Sequence, residues 1–218
     1  MIIKSINNDR KLMNRLPVLF PSSARGSCGR VWNMKESDSA PRPFIELVRA
    51  RASCRAYLPD PVPRTCLEQL LEAARFAPSA CNRQPWRFVV VEDPSVRKRL
   101  TGEALLAGIP MQWTAQAAVM IALGMERSTV THGIAPAISG VDYPLLDLGI
   151  AGEHLVLQAE ELGLGTCWIG WIKPKKVREI VGWPRRIEPV SLITVGWPAP
   201  GGRKTRPRLE ASQIIRWI

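Results

Sequence analysis

Histidine is nearly missing from this chain. His132 and His154 are the only two in 218 residues, and neither has a cysteine or carboxylate at ligand spacing, so no metal site is expected. The common short signatures are absent as well. No GxGxxG follows a strand, and GxxxxGK[ST], GxSxG and HExxH do not occur, which removes the simplest Rossmann, P-loop, hydrolase and zinc-protease readings. Ser95 and Lys98 spell SxxK, but directly behind Pro94 they read as a helix start with a solvated lysine. Cysteine is sparse: Cys28, Cys54, Cys66, Cys81 and Cys167 are odd in number and contain no CxxC pair. Free thiols in a reducing cytosol fit that usage, and no N-x-S/T acceptor favours secretion. No apolar run approaches the roughly 18 to 20 residues of a membrane span. The expectation is a soluble, cytoplasmic protein.

Hydrophobic residues make up 46% and charged residues 22% of the chain, the balance of an ordinary packed domain. A formal charge of +11 and a pI near 10 invite a nucleic-acid reading. Location weakens it, because Lys4, Arg10, Lys11, Arg15, Arg25 and Arg30 face only Asp9 within residues 1–33. That segment shows no sustained period and no signal-peptide pattern. We expect residues 1–33 to be a disordered or non-native extension, Met34 to be the natural start, and residues 34–218 to form one domain.

Hydrophobic periodicity outlines mixed helices and strands. A short helix is expected over Phe44–Arg51, and LPDPVP then breaks it. Thr65 and Glu68 spell a capping box for a helix carrying Leu67, Leu70, Leu71 and Ala74. Strands are expected at Arg87–Asp93, Ala117–Leu123, CWIGWI and EPVSLITVGWP. Helices are expected behind Pro94, from Leu145 to Leu162, and at KPKKVREIVG. Residues 125–143 lack a period and read as a loop or lid. The class is α+β, a three-layer α/β/α sandwich around a small sheet.

Three stretches remain unexplained by packing. RASCRAY places Arg51, Ser53 and Arg55 at alternate positions, so in extended backbone two guanidiniums and a hydroxyl point one way, a pattern suited to gripping phosphate. A solvated basic turn fits the same residues equally well. KTR repeats the alternation with Lys204 and Arg206; alone it reads as a solvated tail cluster, and only the pair of clusters points to a common anion. PSACNRQPW supplies hydroxyl and amide groups without added charge, while its Trp86 reads as a packing residue.

In order, RASCRAY, LLEAARFAPSACNRQPWRFVVV, DLGIAGEHLVLQAEELGLGTCWIG, PVSLITVGWPA and KTRPRL resemble the nitroreductase family of flavoproteins, over about residues 44–215. The resemblance implies a nitroreductase-like FMN-binding domain, an intertwined homodimer and FMN at the interface. Arg51, Ser53, Lys204 and Arg206 would hold the phosphate, and Arg55 would lie at the pyrimidine edge as a cation that tunes the ring. Ala52 stands where the family often has histidine or a basic residue, so only its backbone would contribute. Pro78, Ser79, Ala80, Asn82 and Gln84 would come from the partner copy. Cys167, Trp168, Ile169 and Gly170 would pass along the other side of the ring, with Cys167 as packing and no nucleophile. His132 and Tyr143 are the substrate candidates within the expected lid.

The reaction implied is transfer of hydride from NAD(P)H through FMN to a nitroaromatic, quinone or similar small-molecule acceptor by alternating half-reactions. Alternatives are other flavin reactions of the family, namely dehalogenation, flavin fragmentation and dehydrogenation, or FMN binding without turnover. Neither nucleic acid nor membrane is expected as a partner.

Overall fold

The computed structural model describes residues 43–126 and 140–218; residues 1–33, Met34 and His132 lie outside them. Two helices open the described chain, α1 (Phe44–Ala50) and α2 (Arg64–Arg75). The expected capping box on α2 is not formed. Pro63, with φ −57° and ψ 142°, occupies the N-cap and makes no side-chain cap. Its fixed φ starts the helix one residue ahead of Thr65, which falls inside the first turn where it cannot cap. Leu67, Leu70 and Ala74 are buried at helical spacing, whereas α1 buries nothing and leaves Phe44, Ile45 and Val48 exposed.

Strand β1 (Trp86–Val91) leads to α3 (Pro94–Arg99), which continues as a π-turn over Leu100–Ala104. Asp93 caps α3 by accepting from the backbone N–H groups of Ser95 and Val96, so the cap is the aspartate. Strand β2 (Val119–Glu126) runs three residues past its expected end. Glu126 binds Arg87 and Arg186 and pairs with Ile187, which draws it out of the expected loop and into the sheet. Helix α4 (Tyr143–Glu161) likewise starts inside that loop, because Asp142 accepts from Leu145 N and Pro144 suits a first turn. Strand β3 (Gly165–Ile169), helix α5 (Pro174–Val181), strand β4 (Ile187–Gly196) and a final turn, α6 (Ala211–Ile214), complete the order.

The strands pair in the order β1-β2-β4-β3, every neighbour antiparallel. Alternation along β2 assigns the two faces. Val119, Ile121, Leu123 and Met125 join a cluster with Leu67 and Leu70 of α2 and Leu148 and Leu155 of α4. Met120 and Ala122 join another with Leu100, Ala104 and Val177 of α5. The result is an α+β fold with apolar clusters on both faces of a four-stranded sheet. Trp86, 7% exposed, belongs to the first cluster, as its packing role requires. No helix among the described residues is long and apolar enough to cross a membrane.

The edge beyond β3 is where distant parts of the chain meet. Ser53 forms a parallel bridge with Thr166, and Cys54 an antiparallel bridge with Arg203. Cys54 N donates to Thr166 O at 2.8 Å, and Arg55 N to Gly202 O at 2.9 Å. Glycine is required on both sides: a Cβ on Gly165 would stand 2.7 Å from Cys54 Cβ, and one on Gly202 would stand 2.4 Å from Ala56 O. Arg203 locks the junction by donating to Glu160 Oε1 at 2.9 Å, Leu164 O at 2.9 Å and Gly163 O at 3.2 Å. Glu160 is only 5% exposed. Removing the guanidinium from a buried carboxylate is costly, so Arg203→Ala is expected to lower stability by about 3 kcal/mol. Arg203→Lys should recover little of this, since one ammonium cannot span three acceptors. Urea unfolding of both variants against the parent chain measures it.

Candidate functional site: a cationic cavity at the sheet edge

The junction brings the two basic stretches together. Arg51, Ala52, Ser53 and Arg55 on one side, and Lys204 and Arg206 on the other, line one cavity of about 500 Å³ with Val48, Arg49, Glu153, Thr205 and Arg208. The alternation expected for each stretch explains the arrangement. Residues 53–55 are held extended between β3 and Gly202–Arg203, so side chains of one parity face the same space. Six cations (Arg49, Arg51, Arg55, Lys204, Arg206 and Arg208) face a single lining carboxylate, Glu153. Fixed positive charge at that density suits an anion with several oxygens, and arginine forks suit phosphate in particular.

Buried polar contacts hold the backbone beside Ser53 and Arg55. The Tyr57 hydroxyl donates to Cys54 O at 2.8 Å and shares a 2.7 Å hydrogen bond with Thr194 Oγ1. Burial pushes the Tyr57 phenol far above its usual range, so it stays neutral. Arg55 lies 5.9 Å from the centre of the Trp113 ring, a contact that restrains an otherwise exposed cation.

Strand β3 runs beside Ser53 through the Ser53–Thr166 bridge, but Cys167, Trp168, Ile169 and Gly170 do not line the cavity. Burial raises the Cys167 thiol pKa, with the Arg55 charge, a Ser53 hydrogen bond and the Arg51 charge acting against it. Cys167 therefore stands beside the phosphate-type residues yet remains a protonated packing residue at neutral pH. Trp168 is half-buried, Ile169 is buried and Gly170 is exposed, with open space where a Cβ on Gly170 would be. The Trp171 indole donates to Ala107 O at 3.0 Å and fixes the turn after β3.

None of Pro78, Ser79, Ala80, Asn82 and Gln84 lines the cavity of its own chain. They form a turn of their own, in which Cys81, Asn82 and Gln84 all have φ near +50°, a costly conformation for side-chain-bearing residues. Gln84 N donates to Ser79 Oγ at 2.9 Å, and Gln84 Nε2 donates to Asn82 Oδ1 at 3.1 Å. Asp147 of α4, 2% exposed, anchors the turn by accepting from Ala80 N at 3.0 Å.

Tyr143 is the half-buried first residue of α4. His154 joins α4 to α2 through a 3.3 Å contact between Nδ1 and Ala73 O. Among the described residues no cluster of three or more metal-ligating side chains occurs. Sequence reasoning missed Arg49, Arg208 and Glu153. Arg208 was accessible by carrying the alternation of Lys204 and Arg206 one step further, whereas nothing in the helical pattern of α4 singles out Glu153.

The Nitroreductase family model matches residues 48–197, a span that includes Arg51, Ser53, Arg55, the 78–84 turn and β3. The chain belongs to the nitroreductase family. A protein called NADH dehydrogenase from Thermus thermophilus is 31% identical to this nitroreductase-family chain over 189 residues, covering 77% of this chain and 92% of that protein. An FMN reductase [NAD(P)H] from Bacillus subtilis is 31% identical over 186 residues, covering 78% of this chain and 71% of that protein. The crystal structure of a nitroreductase family protein from Clostridium difficile superposes with a TM-score of 0.68 at 27% identity, covering 80% of this chain and 98% of the other. This chain is accordingly an NAD(P)H-dependent flavin oxidoreductase of the nitroreductase family.

The expected free thiols occur at Cys54, Cys81 and Cys167; Cys66 departs from that expectation, being disulfide-bonded. Burial raises the pKa of both Cys54 and Cys167, which lowers their thiolate fraction at any given pH, whereas Cys81 is exposed. Iodoacetamide at mildly alkaline pH should therefore label Cys81 well before Cys54 and Cys167 in the native protein. Peptide mapping after short labelling checks the order.

Proposed function

We propose that the cavity holds the phosphate of FMN and that the chain passes electrons from NAD(P)H to a nitroaromatic, quinone or similar acceptor. The convergence of Arg51, Ser53, Lys204 and Arg206 on one cavity carries this reading, because a phosphate dianion needs the multiple fixed donors that these residues supply. The donor set fits the group: hydroxyl, guanidinium and ammonium donors outnumber the one lining carboxylate. When bound, FMN supplies a two-electron carrier that takes hydride from NAD(P)H and gives it to the acceptor.

The chain's own residues bind and tune. Arg55, restrained over Trp113, offers a positive charge to the flavin edge that becomes anionic on reduction. Ala52 offers backbone only. Cys167, Trp168, Ile169 and Gly170 lie on the strand beside Ser53 and its exit, where they would pass along the ring, with Gly170 leaving its backbone accessible. No general acid is required of the described side chains.

The partner in this reading is a second copy. The turn carrying Pro78, Ser79, Ala80, Asn82 and Gln84 stands apart from its own cavity, so its strained, anchored geometry finds a purpose if it closes the cavity of the other chain. Large apolar side chains left exposed on a single chain support the same arrangement. They include Phe44 and Ile45 of α1, Leu145 and Leu146 of α4, and Leu209, Ile214, Ile215 and Trp217 of the C-terminal arm, with Trp217 at 91% exposure.

The test is the visible spectrum of the purified protein with saturating FMN, followed by anaerobic addition of NADH or NADPH. Bound flavin that bleaches supports the proposal; flavin that stays oxidised with both donors removes the reductive half-reaction. Arg206→Ala and Arg51→Ala are expected to lower flavin occupancy after gel filtration at least ten-fold, with circular dichroism unchanged, each loss corresponding to about 1.4 kcal/mol or more. Light scattering that reports a monomer would remove the shared site.

A further inference from the structure

Glu153 is the one acidic side chain in a cavity whose other charged lining residues are all cations, and no phosphate site needs a carboxylate. It lies on α4 with its Oε1 3.8 Å from Arg51 Nε, the guanidinium placed at the phosphate in the reading above. Its position is enforced from behind. Trp168 packs over Gly152, where a Cβ would come within 2.2 Å of the indole, so the indole lies against the helix residue next to Glu153. It faces Arg51 and, across the cavity, Arg49, Arg55, Lys204, Arg206 and Arg208, with His154 as its neighbour along α4.

We propose that Glu153 is a resident counterion: it holds Arg51 while the cavity is empty and opposes the incoming phosphate, so that FMN loading is coupled to uptake of a proton at this carboxyl. The inference rests on the FMN reading. Six confined cations repel one another, and one carboxylate relieves that repulsion in the unloaded protein. A phosphate dianion does the same work with more oxygens, and once it arrives the carboxylate becomes a like charge nearby. The partly buried setting of Glu153 favours its neutral form: burial raises its pKa, while Arg51, the Trp168 hydrogen bond and His154 act against the rise. Loading should push the carboxyl further in the same direction. By linkage, the penalty on phosphate is absent at acidic pH, where Glu153 is already protonated, and grows as pH rises through its titration range.

The experiment compares FMN binding to the wild-type chain and to Glu153→Gln, which keeps shape and hydrogen bonding while removing the charge. Flavin fluorescence quenching gives Kd at about pH 4, below the ordinary glutamate range, where a carboxyl with a raised pKa is protonated, and at about pH 8, well above that range. Ionisation of the FMN phosphate itself, near pH 6, acts on both proteins, so the ratio of their dissociation constants isolates Glu153. The expected ratio of wild-type to variant Kd is near unity at the acidic end and about five-fold or more at the alkaline end. Riboflavin, which lacks the phosphate, should show no such gain.

Equal FMN affinity of the two proteins at both pH values overturns the inference, as does weaker binding by the variant or an equal gain for riboflavin. In each case the FMN site itself would stand if Arg206→Ala still lost flavin. Failure of wild-type protein to bind FMN at any pH would overturn both readings.

Discussion

The grip of the Arg203 guanidinium on the far end of α4 is the constraint from which the rest of the site follows. Its three acceptors, Glu160 Oε1, Gly163 O and Leu164 O, belong to the last turn of α4 and the entry to β3. By fixing Arg203 there, the protein fixes Gly202, and with it the backbone bond that holds Arg55. The cavity therefore has no independent scaffold. Its two basic walls are successive additions to a sheet edge, and each is positioned by backbone hydrogen bonds. That suits a charged site, because guanidiniums confined by their own backbone need no apolar contacts to keep them facing one another.

Much of this was legible from residue patterns, for identifiable reasons. Helices α2 and α4 announced themselves because their buried residues recur at helical spacing, and strands β1, β3 and β4 because each is a short, largely apolar run. Turn punctuation, such as Gly163 with φ +78° and Gly182 with φ +72°, closed two of the helices as glycine does. Alternation within RASCRAY and KTR showed which side chains share a direction. It could not show that both stretches face one space, since that depends on Gly165 and Gly202 allowing close approach of backbones remote in sequence. Errors arose where side-chain competition decided a boundary. Pro63 displaced Thr65 from the cap, and the pull of Arg87 and Arg186 on Glu126 lengthened β2.

The turn at Ser79–Gln84 shows why local reasoning stops short. Composition identified it as unusual, yet positive φ at Cys81, Asn82 and Gln84 around a buried aspartate anchor is invisible in a string of letters. The strain is local, and Pro78, Ser79, Ala80, Asn82 and Gln84 do not line the cavity of their own chain. Under the proposed shared site, its benefit would lie in another copy of the chain.

The bridge between Cys54 and Arg203 also imposes an order in time. The Arg51 wall is synthesised early, but its companion wall and the Arg203 lock follow much later in the chain. A chain emerging from the ribosome holds half a cradle until Gly202 and Arg203 have emerged. Loops this long close late. The two walls thus meet only after nearly all of the sheet between them has been made.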